Sequence, residues 1–193
     1  MNYLAHLYLA GDDDAEISGA LLGDFIKGPL DTIALPAPVV AGIKLHRQVD
    51  SYTDEHPLVT QSRARLSERG LVAGIIVDVV YDHFLVNHWH RFANESLASF
   101  TQFRYERLLA WHKKYPPRLQ RIVPLMSQDD WLSAYGCIDT VGFALERIGN
   151  RLSRPGMLEG AQVDIERHYH GLEEDFLQFF PQLASNFARR QRR

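Results

Sequence analysis

Residues 77–92 read VDVVYDHFLVNHWHRF, and this run constrains the fold more than any other stretch of the chain. Ile75, Ile76, Val77, Val79, Val80, Phe84, Leu85 and Val86 cover nearly the whole circumference of a helix, so that helix has to be central. Yet it also carries Asp78, Asp82 and His83. Leaving ionised carboxylates unpaired in such a place costs several kcal/mol or forces a pKa shift, so they need compensation. Asp78 and Asp82 lie one turn apart on one face, and His83 sits about 100° further round. A divalent cation would remove the repulsion and use these groups as ligands.

Elsewhere the apolar spacing is three and four residues, broken by Pro and Gly, with no sustained alternation. This predicts an all-α, single compact domain over residues 1–193. Asn2 is placed to cap a first helix through Ala10, and further helices are expected over 15–27, 38–53, 57–69, 71–92, 96–114, 117–126, 138–152 and 159–190. Gly70 serves as a stop, and the Pro155-Gly156 turn and Pro181 are expected to break or kink the last region. A chain of 193 residues can bury a substantial core without a staple, and a lone cysteine, Cys137, excludes an internal disulfide. The net charge of -3 gives no global nucleic-acid signature, so any basic site must be local. With no basic-then-apolar leader and no uninterrupted apolar run of about 18 residues, a cytoplasmic protein without membrane insertion is expected.

Other segments offer matching ligands. KLHRQVD sets His46 and Asp50 one turn apart on the same side of a helix, LLGDFI embeds Asp24 in an apolar run, and YLAHLYLA does the same with His6. Taken singly, each reads first as a hydrogen-bonded core residue, and His46 with Asp50 as a helix-surface pair. Their combination across four apolar helices points to a metal-dependent reaction centre. Carboxylate with imidazole suits Mn²⁺, Fe²⁺ or Zn²⁺, and the lack of cysteine ligands argues against structural zinc. His88, Trp89 and His90 are read as a solvated helix end near the negative pole of its dipole.

MNYLAHLYLA, GALLGDFIKG, GIKLHRQVDSYTD, VDVVYDHFLVNHW and ERHYHGLEEDFLQFFP together resemble the acyl carrier protein phosphodiesterase family over nearly the whole chain. The resemblance implies an HD-domain-like helical fold and hydrolysis that removes 4'-phosphopantetheine from holo acyl carrier protein, with Mn²⁺ or a similar divalent ion such as Fe²⁺ or Mg²⁺. It places Asp24, His46, Asp50, Asp78, Asp82 and His83 in or beside the metal site, with Asp24 serving the chemistry. HD proteins carry adjacent His then Asp, whereas this sequence has no such dipeptide and carries Asp82-His83 instead.

A phosphodiesterase of this kind needs an activated water and charge compensation at the phosphate and the leaving serine oxygen. His6 or His168 is a candidate acid for that serine, and Lys27, Lys44 and Arg47 are candidates for meeting the phosphate. An acidic carrier protein also calls for a local basic patch, from Lys113, Lys114, Arg118 and Arg121, from Arg147, Arg151 and Arg154, or from Arg189, Arg190, Arg192 and Arg193. Two other readings stay open: an HD-like phosphohydrolase acting on nucleotides or another small phosphoester, and a non-catalytic carrier-protein-binding module.

Overall fold

The computed structural model describes residues 1–191, and side chains except those at 32 and 188–191. The fold is all-α, with α1 (Tyr3–Leu9), α2 (Asp14–Leu22), α3 (Ala37–Glu55), α4 (Pro57–Arg65), α5 (Ala73–Asn87), α6 (Leu97–Ala110), α7 (Pro117–Gln128), α8 (Trp131–Ala134), α9 (Ile138–Gly149) and α10 (Ala161–Gln191). As its composition demands, α5 is central: Ile76, Val77, Val80, Tyr81, Phe84 and Leu85 are wholly buried. The segment Ser67–Asn87 is long and apolar enough to cross a membrane, but most of it is buried inside the fold, as a core helix is.

Element ends follow local chemistry. Gly70 has φ +53°, a left-handed conformation that separates α4 and its 3-10 extension from α5. The segment expected as one helix over 71–92 ends at Asn87 and closes in a 3-10 turn, Trp89–Arg91. Trp89 is buried there, packed on Phe100 at 4.7 Å between ring centroids, and His88 pairs with Glu173 at 2.8 Å, so these two are docked, while His90 is exposed as expected. The last helix is not broken at Pro181; its buried face of Phe176, Phe179, Phe180, Leu183 and Phe187 continues across the proline. Asp175, also on α10, is buried and receives Arg65 in two bonds of 2.9 and 3.3 Å, with Ser62 and Gln61 beside it, which fastens α4 to α10.

Two contacts position the functional region. The first is α1 on α5. Asp82 is fully buried, and its two carboxylate oxygens accept the backbone N–H groups of Leu4 at 2.8 Å and Ala5 at 3.2 Å. Those are donors of the first turn of α1, which no intrahelical carbonyl can satisfy. The Asn2 side chain makes no cap bond, so Asp82 replaces it from another helix. At the other end of α1, Arg104 donates to Gly11 O at 2.8 Å, and the Tyr8 hydroxyl donates to Phe92 O at 2.6 Å.

The second contact is α2 on α3, the most intimate helix pair in the fold. A Cβ on Gly19 would lie 2.3 Å from Val39 O, and one on Gly42 would lie 2.3 Å from Glu16 O. Both neighbours are backbone, which cannot rotate away, so these helices approach only because both residues are glycine. Two outcomes are expected. Asp82→Ala strands two buried donors and should cost about 2–3 kcal/mol, with Asp82→Asn recovering part through its remaining carbonyl oxygen. Gly19→Ala should cost about 1–3 kcal/mol by overpacking. Urea unfolding checks both, and variants as stable as the unsubstituted protein would contradict this account of the two contacts.

Candidate metal centre

The capped helix α1 carries His6 inward, and the glycine-joined pair brings Asp24, at the exit of α2, against His46 and Asp50 on α3. His6 and His46 stack face to face with centroids 3.6 Å apart and planes 10° apart. Both point Nε2 at Asp50, His6 3.1 Å from one carboxylate oxygen and His46 3.1 Å from the other. One ligand atom from each of the three lies within 4.8 Å of the others. Asp24 stands 3.6 Å from His46 Nε2 and is 46% exposed, so it forms the open rim of a cluster whose imidazoles are buried. Asp78 closes another side, 3.0 Å from the α-amino group of Met1, which also lies 3.6 Å from Asp50.

Local structure dictates how His46 presents itself. A Cβ on Gly23 would fall 2.2 Å from His46 Cγ, so glycine there leaves room for the ring. The imidazole fits against the end of α2 and directs Nδ1 to Ala20 O at 2.7 Å. A carbonyl only accepts, so Nδ1 carries the proton, and in the neutral ring the Nε2 lone pair faces the carboxylates. That orientation, an imidazole fixed by a backbone carbonyl with its other nitrogen turned to acidic neighbours, is the one a metal ligand requires.

The charges are strongly coupled. Burial opposes protonation of His46, but bonds to Asp24 and Asp50 outweigh it and raise its pKa to about 9. Burial lowers that of His6, against its bond to Asp50, and the neighbouring His46 charge adds to the lowering. Burial works against ionised Asp50 and Asp24 too, yet the histidine bonds hold both below the usual carboxylate range. The stacked pair thus takes up one additional proton more readily than two, placed on His46. His6 Nε2 also lies 3.2 Å from Met1 O, while its Nδ1 is buried without a partner.

The structure divides the residues singled out in the sequence. His6, Asp24, His46, Asp50 and Asp78 converge. Asp82, on the same helix as Asp78, spends both oxygens on α1 and supports the cluster from behind; burial pushes its pKa up to about 7, against the two backbone bonds. His83 turns elsewhere: Nδ1 donates to Tyr135 O at 2.8 Å, leaving Nε2 to accept from the Tyr169 hydroxyl at 2.8 Å and Asn87 at 3.0 Å. The grouping of Asp78, Asp82 and His83 around one ion is therefore split, because adjacent residues on a helix face different neighbours. His168, half-buried on α10, takes no part in the cluster.

Among the proposed phosphate groups, Lys27 and Lys44 are exposed, and Arg47 donates to Ile26 O at 2.9 Å in the loop after Asp24. Lys44 and Arg47 line an open groove with Pro29, Leu30 and Val40. Lys114 lies over Trp111 and Arg118 over Phe25, the residue that follows Asp24. Arg192, Arg193 and the side chains of Arg189 and Arg190 lie outside the described residues. The α-amino group of Met1 is the member of the cluster that the sequence reading missed; its only signal there was the closeness of His6 to the first residue.

Gly23→Ala tests the fit of His46. By pushing the ring off Ala20 and away from Asp24, it should bring the His46 pKa in the metal-free protein down from about 9 toward the ordinary 6.5, read by NMR titration. The raised pKa also means that, without metal, this pair's stabilisation is complete below pH 6.5 and lost as pH rises through about 9. An unchanged titration in the variant would contradict the fit.

The profile of the family described as acyl carrier protein phosphodiesterase matches residues 1–183. A Serratia proteamaculans protein of that name is 42% identical over 185 residues, covering 95% of each chain. One from Yersinia pestis is 35% identical over 193 residues, 99% of this chain and 100% of its own, and one from Escherichia coli O45:K1 is 34% identical over 192 residues, 98% and 99%. No solved structure matches. On the profile match and on these near-full-length relatives, the chain belongs to the acyl carrier protein phosphodiesterase family.

Proposed function

We propose that this protein is a metal-dependent phosphodiesterase that removes 4'-phosphopantetheine from the serine of holo acyl carrier protein, leaving the apo form. The observation that carries this reading is the convergence of His6, His46 and Asp50 beside a solvent-facing Asp24, in a chain of this family. The donor set fits a divalent ion: two imidazoles and a carboxylate would hold it, with Asp24 and Asp78 at the edge. Such an ion, Mn²⁺ by resemblance or Fe²⁺, Mg²⁺ or another divalent metal in its place, supplies Lewis acidity and a water ionisable near neutral pH.

The chain's own residues divide the remaining work. Ala20 O holds His46 in one tautomer, so its Nε2 stays turned to the site. Asp24, exposed at the rim and held ionised by His46, is placed to orient the attacking water and accept its proton. His6 is walled in by His46 and α1, which suits it to holding an ion better than to shuttling protons with a leaving serine. Lys44 and Arg47, which line one groove beside α3, are the groups assigned to meeting the phosphate. A cytoplasmic location suits a carrier-protein substrate.

His46→Ala and Asp50→Ala should each weaken Mn²⁺ binding by at least about tenfold, read by metal analysis and by EPR titration of free Mn²⁺. His83→Gln, which removes only the second histidine environment, should keep the metal. Asp24→Ala should lower kcat on holo carrier protein by about 10²–10⁴ while leaving the fold intact. Full metal occupancy in both α3 variants, or faster hydrolysis of nucleotides than of holo carrier protein, would overturn the proposal.

A further inference from the structure

Some arginines of this chain are spent on ion pairs within the fold and others are not. Arg63, Arg65, Arg69, Arg104, Arg107 and Arg167 each pair with a carboxylate. Arg118, Arg147 and Arg151, like Arg91, Arg121 and Arg154, are exposed and form no ion pair among the described residues. Two of them rest on aromatic rings instead, Arg118 at 5.4 Å from the Phe25 centroid, and Arg147 at 5.7 Å from Phe143 and 5.8 Å from Trp131. Stacking holds a guanidinium in place while leaving its hydrogen-bond donors unspent. Phe143 precedes Arg147 by one turn on α9 and is 60% exposed, so this helix presents a large apolar side chain beside an unpaired cation.

These residues adjoin the site. Phe25 follows Asp24 in the chain, and the Tyr3 hydroxyl lies within electrostatic reach of Asp24, Arg118 and Arg151 together. Arg118, at the start of α7, thus lies against the residue that follows Asp24 at the open rim, and Arg151, just beyond α9, shares the surroundings of Tyr3 with it. On the Asp78 side, by contrast, the neighbouring cation Arg63 is spent on Asp54. The bond to be cleaved joins phosphorus directly to a serine of the carrier, so the surface around that serine has to lie against the mouth of the site. Whatever charge the rim carries is the charge that the carrier meets.

We propose that Arg118, Arg147 and Arg151, with Phe143 beside them, form the docking surface for an acidic surface of the carrier protein, an assignment that rests on holo carrier protein being the substrate. The unpaired guanidiniums complement carboxylates, and Phe143 supplies the apolar contact that fixes position once charge has steered the encounter.

The test uses the full chain with Arg118→Glu, Arg147→Glu and Arg151→Glu, singly and as Arg118→Glu/Arg151→Glu, and Arg91→Glu in the turn after α5 as a control. KM and kcat are measured on holo carrier protein, and Kd on apo carrier protein, the product that keeps the surface without the arm. Each single reversal should raise KM and Kd by about 3–10-fold and the double by more, with kcat within about twofold, and the effect should shrink as salt rises from about 0.05 to 0.5 M. A carrier protein whose surface acids are changed to lysine should bind the double variant better than it binds the unsubstituted enzyme, a gain that a merely misfolded variant would not show. Values of KM and Kd within twofold in all three reversals, or an equal loss in Arg91→Glu, would overturn the docking surface. Failure of the unsubstituted protein to hydrolyse holo carrier protein would overturn the functional reading beneath it.

Discussion

The acceptance of the first turn of α1 by the carboxylate of Asp82 is the contact on which the rest of this site depends. A helix of seven residues has little stability of its own, since nucleation is costly and few of its backbone groups find partners within it. A buried carboxylate is equally unfavourable alone. Each removes the other's cost: two unsatisfied N–H groups and the positive end of the helix dipole meet two unsatisfied oxygens. Once docked, α1 has one orientation, and that orientation carries the imidazole of His6 onto the ring of His46.

Small residues do the complementary work on the other side. Gly19 and Gly42 bring α2 and α3 to backbone contact, and Gly23 admits the His46 ring at the point where α2 ends. Two closely held histidines then face a single carboxylate, with Asp24 and Asp78 nearby and the ammonium of Met1 offsetting part of the negative charge. The arrangement is crowded with donors that compete for few protons. A divalent ion would suit it, attracting the carboxylates while taking the lone pair that His46 turns toward them.

How much of this is legible in the sequence depends on whether a residue's role is set by its own helix or by a distant one. The centrality of α5 follows from its apolar circumference, and the pairing of His46 with Asp50 follows from one helical turn, so both can be read directly. Asp24 and His6 stand out as polar groups in apolar runs. What separates Asp82 and His83 from the cluster is tertiary: one meets the start of α1 and the other meets Tyr135 and Tyr169, contacts at separations of 52 residues or more. Asp175, buried against Arg65, shows the same ambiguity, since a lone acid in an amphipathic helix carries no sign of whether it serves a fold or a reaction. The short α8 was missed because four residues contain no period to detect.

The central claim is that α1, α2 and α3 together hold one divalent ion between His6, His46 and Asp50. Anomalous diffraction at the manganese edge, from crystals of the full chain grown with Mn²⁺, tests it most directly. The account predicts a peak bounded by the Nε2 atoms of His6 and His46 and by the Asp50 carboxylate, with Asp82 still bonded to Leu4 and Ala5. A peak instead between Asp82 and His83, or Mn²⁺ bound in the crystal with no peak at the three residues, would contradict it.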